Sequence, residues 1–177
     1  MKIHNSYGTR NGGRILVPPE RQQHLAAHPE IGNIIGEAIA QIVLPTDGSI
    51  FWGEIDLGRI VGTCGCVKAR QIESIDPTTF ALRKARAKPS RVAVGAEPAP
   101  CSTVVIRALP TDDPHTYMLY TCYVGIKAPL EPWDPELVGQ PEAAREALEF
   151  WCSHALVHDP SVMGLPFTTS WTEILRG

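Results

Sequence analysis

The sequence predicts an α+β fold: N-terminal helices, a mainly antiparallel sheet with one inserted helix, and a C-terminal helix packed on the sheet. Three observations predict it. Ile31, Ile34, Ile35, Ala38, Ile39 and Ile42 recur at helical spacing early in the chain. Residues 102–109 and 117–124 have strand character and flank the loop Pro110-Thr111-Asp112-Asp113-Pro114, the pattern of an antiparallel hairpin. Sixteen prolines and fifteen glycines favour short elements and many turns over a helical bundle. Helices and strands are segregated rather than alternating, which separates α+β from α/β.

Taken in order, residues 1–17 mix polar side chains with Gly8, Gly12 and Gly13 and read as a mobile arm ending in a short strand over 14–17. The single domain is expected over 18–177. Pro18-Pro19-Glu20 opens a first helix reaching about Ala27, since proline suits a first helical turn. A second helix runs over 30–43 and ends before Pro45 and Asp47-Gly48. Residues 50–55 and 60–67 are strands. Asp76 caps an inserted helix over 77–87, with Lys84, Arg86 and Lys88 near its C-terminal end, where positive charge suits the dipole. The hairpin follows, then a proline-rich loop over 128–140. Pro141 opens a last helix reaching about Val157.

If the hairpin turn centres on Asp113, residue 103 pairs with 123 and 107 with 119. Val104, Ile106, Ala108, Met118, Tyr120, Cys122 and Val124 then face the core. Thr103, Val105, Arg107, Tyr117, Leu119, Thr121 and Tyr123 face out. That outer face pairs hydroxyls and phenols with a guanidinium. Tyrosine stacks on bases and arginine binds phosphate bidentately, so Thr103, Arg107, Tyr117 and Tyr123 are candidate substrate contacts. The alternative is a solvated polar face.

The net charge of −3 hides a split. Residues 59–91 carry eight basic against two acidic side chains, a net of +6. Residues 92–177 carry four against eleven, −7, and residues 1–58 four against six, −2. Such a split marks a positive patch for an anionic partner, with Arg83 and Lys84 as further substrate contacts. Mutual neutralisation within the fold is the plainer alternative.

No apolar run approaches the roughly 18 residues needed to span a bilayer, and residues 1–6 lack the apolar stretch of a signal peptide. A cytoplasmic protein without membrane contact is expected. Cys64, Cys66, Cys101, Cys122 and Cys152 read as free, buried thiols. Cys64-Gly65-Cys66 has no second pair to complete a zinc site. His154 and His158 lack the adjoining glutamate of a zinc protease. No phosphate-binding loop, dinucleotide fingerprint or nucleophile elbow is present, so neither cofactor nor metal is expected. His154, read on the last helix, is a candidate general base or acid.

Lys88-Pro89-Ser90-Arg91 before one strand, and Thr121-Cys122-Tyr123-Val124-Gly125 closing the next, together resemble the barnase/EndoU/colicin/RelE-like ribonuclease superfold carried by bacterial toxins and phage proteins. The resemblance covers about residues 59–130. It implies an endoribonuclease needing no metal, in which the RNA 2′-hydroxyl attacks the adjacent phosphate. As catalytic candidates implied by the resemblance, Thr121 matches the last-strand threonine and Arg91 the basic residue ahead of the sheet. His154 lies outside the matched region and is nominated on its chemistry. RNA, or an inhibitory partner protein, is the expected partner. Two other readings stand beside it. One is a non-catalytic protein- or nucleic-acid-binding module using the proline-rich loop, with Trp133 and Trp52 exposed as anchors. The other is a small-molecule enzyme with Cys122 or Cys152 as nucleophile.

Overall fold

The computed structural model describes residues 5–26 and 29–177. In chain order the elements are β1 (Asn5–Gly8), β2 (Arg14–Val17), α1 (Pro19–Ala26), α2 (Pro29–Gly32), α3 (Ile35–Ala40), β3 (Phe51–Asp56), β4 (Gly62–Cys64), β5 (Cys66–Lys68), β6 (Thr78–Ala81), β7 (Ser90–Ala93), β8 (Ala99–Cys101), β9 (Thr103–Pro110), β10 (Thr116–Val124), α4 (Pro141–Ser153), β11 (His154–Val157), β12 (Phe167–Thr169) and α5 (Trp171–Arg176). The α+β class is as the sequence predicts. Among the described residues no helix is long and apolar enough to cross a membrane. The chain divides into two compact units, residues 1–64 with 100–127 and residues 65–99 with 128–177. Each has its own apolar cluster.

The first unit is a five-stranded sheet in the order β1-β2-β10-β9-β3. All its ladders are antiparallel except β2 with β10. One face is covered by the short helices. Ile31, Ile34, Ile35, Ala38, Ile39 and Ile42 pack against Ile15, Val17, Ile55, Val104, Ile106, Ala108 and Leu119. The helical periodicity therefore identified the core face correctly. The helix itself is not continuous: it breaks at residues 33–34 into α2 and α3, just after Gly32, where glycine weakens a helix. The expected arm is instead paired sheet, with β1 on β2. Its first four residues, and the expected end of the first helix at Ala27, lie outside the described residues.

The second unit has a sheet in the order β12-β6-β7-β11-β5, with β7 and β11 parallel. Ile72, Phe80, Trp151, Cys152 and Trp171 form its main apolar cluster, and Trp133 and Phe150 pack on it. Two expectations fail here. The inserted helix over 77–87 is a strand over Thr78–Ala81, paired on both sides by β7 and β12. Two β-branched residues and a phenylalanine suit a pleated surface better than a helix, and the partner strands are distant in sequence. The last helix stops at Ser153, and His154 is already extended, with φ −129° and ψ 155°. Residues 154–157 instead complete ladders with β5 and β7. His154 is thus a strand residue.

The hairpin turn of the first unit is organised by Asp113. Its carboxylate accepts from the Thr116 hydroxyl at 2.6 Å, the His115 N–H at 3.0 Å and the Arg14 guanidinium at 3.2 Å. The Thr116 hydroxyl first, then the His115 amide and Arg14, hold this carboxyl below its usual range. A depressed pKa stabilises the fold above the unfolded value, and that contribution is lost as pH falls through the folded value. Asp113→Asn should therefore lower the thermal midpoint at pH 7. The difference from wild type should shrink as pH drops below about 4, the ordinary aspartate value. Thermal melts of both proteins across that range check this.

Candidate functional site

The helices cover one face of the first unit's sheet and leave the other to carry a line of cations and rings. Alternation places Trp52, Arg107 and Thr121 in one row across β3, β9 and β10. Glu54, Val105 and Tyr123 form the next row, and Asp56 pairs with Thr103 beyond it. A bulge between Leu119 and Thr121 inserts Tyr120 as an extra residue in β10. Before it, Tyr117 and Leu119 point inward. After it, Cys122 does. Both sets can face the core only because the bulge resets the alternation.

Tyr120 is thereby exposed and stands against Arg107, whose guanidinium carbon is 5.2 Å from its ring centroid. The same guanidinium is 5.6 Å from the Trp52 centroid. Lys127 Nζ is 4.5 Å from Trp52, and the Arg21 guanidinium, on α1, is 5.4 Å from Tyr120. The order is Arg21, Tyr120, Arg107, Trp52, Lys127. Cation–π contacts occur about once per 70–80 residues. Four of them sharing five side chains is a concentration that needs an explanation. Trp52, Tyr120 and Tyr123 each remain more than a third exposed.

Arg107 is the centre of this ladder. Among the described residues no carboxylate pairs with it, and its buried Nε has no acceptor. A guanidinium is a five-donor fork that is always charged. With its Nε unpaired among the described residues and two rings beside it, it offers an anion-binding group already held in place. Lys127 is fixed differently. Its backbone N–H donates to Glu54 and its Nζ donates to the Trp52 carbonyl at 3.2 Å. The turn that brings it there uses Gly125, with φ +154° and the Tyr123 ring only 3.2 Å from where a Cβ would stand.

Of the residues nominated from sequence, Thr103, Arg107, Thr121 and Tyr123 share this face. Tyr117 does not. It is fully buried, and its hydroxyl donates to the Pro45 and Ser49 carbonyls at 3.1 and 3.0 Å. The bulge is the physical reason.

Arg83, Lys84, Arg91 and His154 belong to the second unit, and the basic segment there is largely engaged within the protein. Arg83 and Arg86 both bind the buried carboxylate of Glu131, which also accepts from the Ser90 hydroxyl. Lys84 Nζ donates to the Ser161 carbonyl, and Lys88 Nζ to that of Ile174. Arg91 is 5% exposed. Its guanidinium donates to the Trp151, Cys152 and Arg70 carbonyls at 3.1, 2.8 and 2.9 Å. It closes the C-terminal end of α4, where backbone carbonyls lack helical partners. Arg91, a catalytic candidate from the sequence, thus has its guanidinium taken up by three backbone carbonyls.

His154 stacks on Phe150, with centroids 4.0 Å apart and planes 3° from parallel. Its Nδ1 is 3.0 Å from the Phe150 carbonyl. The Ser153 hydroxyl lies at the same 3.0 Å from Nδ1. Trp133, an expected exposed anchor, donates its indole N–H to the Pro89 carbonyl at 3.0 Å and packs on the second unit's core. The two nominated thiols, Cys122 and Cys152, are both buried. Burial pushes Cys122 up to about 12 and raises Cys152 as well, with Arg91 opposing in part. Thiolate, the reactive form, is scarce at neutral pH in such sites.

Sequence reasoning missed Tyr120, Arg21 and Lys127 as members of the face. Tyr120 was assigned inward by strict alternation, and no local signal announces a bulge. Arg21 and Lys127 lie on a helix and a loop that only the fold brings to the sheet. Comparison with protein-family models, curated proteins and solved structures finds no match for the chain.

Proposed function

We propose that the first unit binds single-stranded RNA across the open face of its sheet. The observation that carries this reading is Arg107, whose Nε has no acceptor among the described residues and whose guanidinium is held between the exposed rings of Trp52 and Tyr120. Alternating cations and aromatic rings match alternating phosphates and bases, because every base has a face to stack and every link a charge to neutralise. A duplex hides its base faces, so the substrate is single-stranded. The unit as a whole carries seven basic and eight acidic side chains, a net of −1. Attraction therefore comes from local placement rather than from bulk charge.

Fluorescence anisotropy of a labelled uridine 12-mer with the full chain tests this. Wild type should bind at low salt and prefer the single strand to a duplex. Arg107→Ala should weaken binding about tenfold and reduce the salt slope by about 0.7. Arg107→Lys should fall between, because it keeps charge but loses the planar stack. Equal binding by wild type and Arg107→Ala would defeat the reading.

A second reading, metal-independent cleavage of that RNA, is favoured by Thr121 facing Arg107 with Glu54 and Tyr123 in the adjoining row. In it the Glu54 carboxylate takes the 2′-hydroxyl proton and the freed oxygen attacks the adjacent phosphorus. The Tyr123 phenol protonates the departing 5′ oxygen, and Arg107 stabilises the crowded phosphate. Incubation of total RNA with the full chain in EDTA separates the readings. Binding without cleavage leaves the first alone.

A further inference from the structure

A cleft of about 310 Å³ lies beside helix α1, among Asn5, Tyr7, Gln22, Leu25, Asn33 and Ile35. Its size falls at the small end of ligand pockets, right for one heterocycle rather than a large cofactor. The lining chemistry is unusual. Among the described residues its lining includes three that carry a carboxamide and one that carries a phenol, and none with a charged side chain. Leu25 and Ile35 are buried core residues and give it an apolar floor. The Tyr7 ring is held in place, with two of its carbons 3.3 Å from where a Cβ on Gly36 would stand. Gln22 is likewise anchored, its Nε2 donating to the Val17 carbonyl at 2.8 Å.

A lining whose described residues carry no charge, with a tyrosine at its side and amides among its residues, suits a neutral planar ligand that donates and accepts at adjacent positions. A carboxamide presents a donor and an acceptor side by side. That pair matches adenine at N6 and N7, and unstacked RNA bases are read at such edges. Gln22 directly follows Arg21, the outermost cation of the ladder. Successive helical residues point about 100° apart. One turn of α1 therefore offers a guanidinium to a phosphate and an amide to a base.

We infer that this cleft is a nucleobase pocket selective for adenine, one base of an RNA strand whose backbone crosses the sheet face at Arg21. The inference rests on the RNA-binding reading for its biological ligand, but its chemistry is testable without it. Adenosine, guanosine, cytidine and uridine are titrated separately into the ¹⁵N-labelled full chain, and the side-chain amide signals of Asn5, Gln22 and Asn33 are followed. Adenosine should shift them, and the other three should shift them at least tenfold less at equal concentration.

Asn33→Leu, at an exposed position, should abolish the adenosine response without altering the rest of the spectrum. Labelled adenosine and uridine 12-mers, compared by anisotropy, should differ about tenfold in affinity for wild type and be equal for Asn33→Leu. No response to adenosine, or an equal response to all four nucleosides, overturns the pocket even if the oligomers bind. An adenosine response with no oligomer binding upholds the pocket and overturns the RNA reading.

Discussion

Glu131→Ala should lower the unfolding free energy of the second unit by about 3 kcal/mol, near the lower end of the cost of breaking a buried ion pair. The carboxylate is 2% exposed and is bound by Arg83, Arg86 and Ser90. Those three lie on the segment around β7, whereas Glu131 lies on the loop before α4, so the network joins two stretches of chain about forty residues apart in sequence. Removing the carboxylate leaves two guanidinium groups and a buried hydroxyl without it. Both arginines keep about a third of their side chains exposed, so solvent relieves part of the cost. Urea unfolding read by tryptophan fluorescence measures it, since Trp133, Trp151 and Trp171 all pack in this unit. The double variant with Arg83→Ala should lose less than the sum of the two single changes, because the groups share one network.

Arg91→Met should cost about 3–4 kcal/mol, from three carbonyl oxygens each losing a charged donor in a desolvated place. Methionine keeps much of the length and apolar stem but makes none of the three bonds. Trp151 and Cys152 lie in the last turn of α4, so the damage should concentrate there. Amide hydrogen exchange should show α4 and β11 opening more readily, with β9 and β10 unchanged. A catalytic arginine would give another outcome: unchanged stability and lost RNA cleavage.

What the sequence made legible follows local periodicity. The apolar residues of 31–42 and the inward residues of β9 were readable because each repeats with the period of its element, and both sets are buried. What was not readable depends on contacts distant in sequence. Residues 78–81 look helical from Asp76-Pro77, yet β12 supplies a ladder from nearly ninety residues away. His154 continues a helical pattern, yet β5 and β7 draw it into a sheet.

The basic segment shows the same limit for function. Its charge was plain, but the carboxylate and carbonyls that engage it lie far along the chain. Arg107, Thr103, Thr121 and Tyr123 share the face away from the helices, as strand alternation, a local rule, predicts. Tyr117 and Tyr120 were exchanged because one bulge broke that rule.

Photocrosslinking bears most directly on whether the ladder around Arg107 is where RNA lies. A uridine 12-mer carrying 5-iodouridine, irradiated with the full chain and mapped by mass spectrometry, should crosslink to peptides holding Trp52, Tyr120 and Tyr123. Crosslinks confined to residues 65–99, or an undiminished yield with Arg107→Ala, would contradict it.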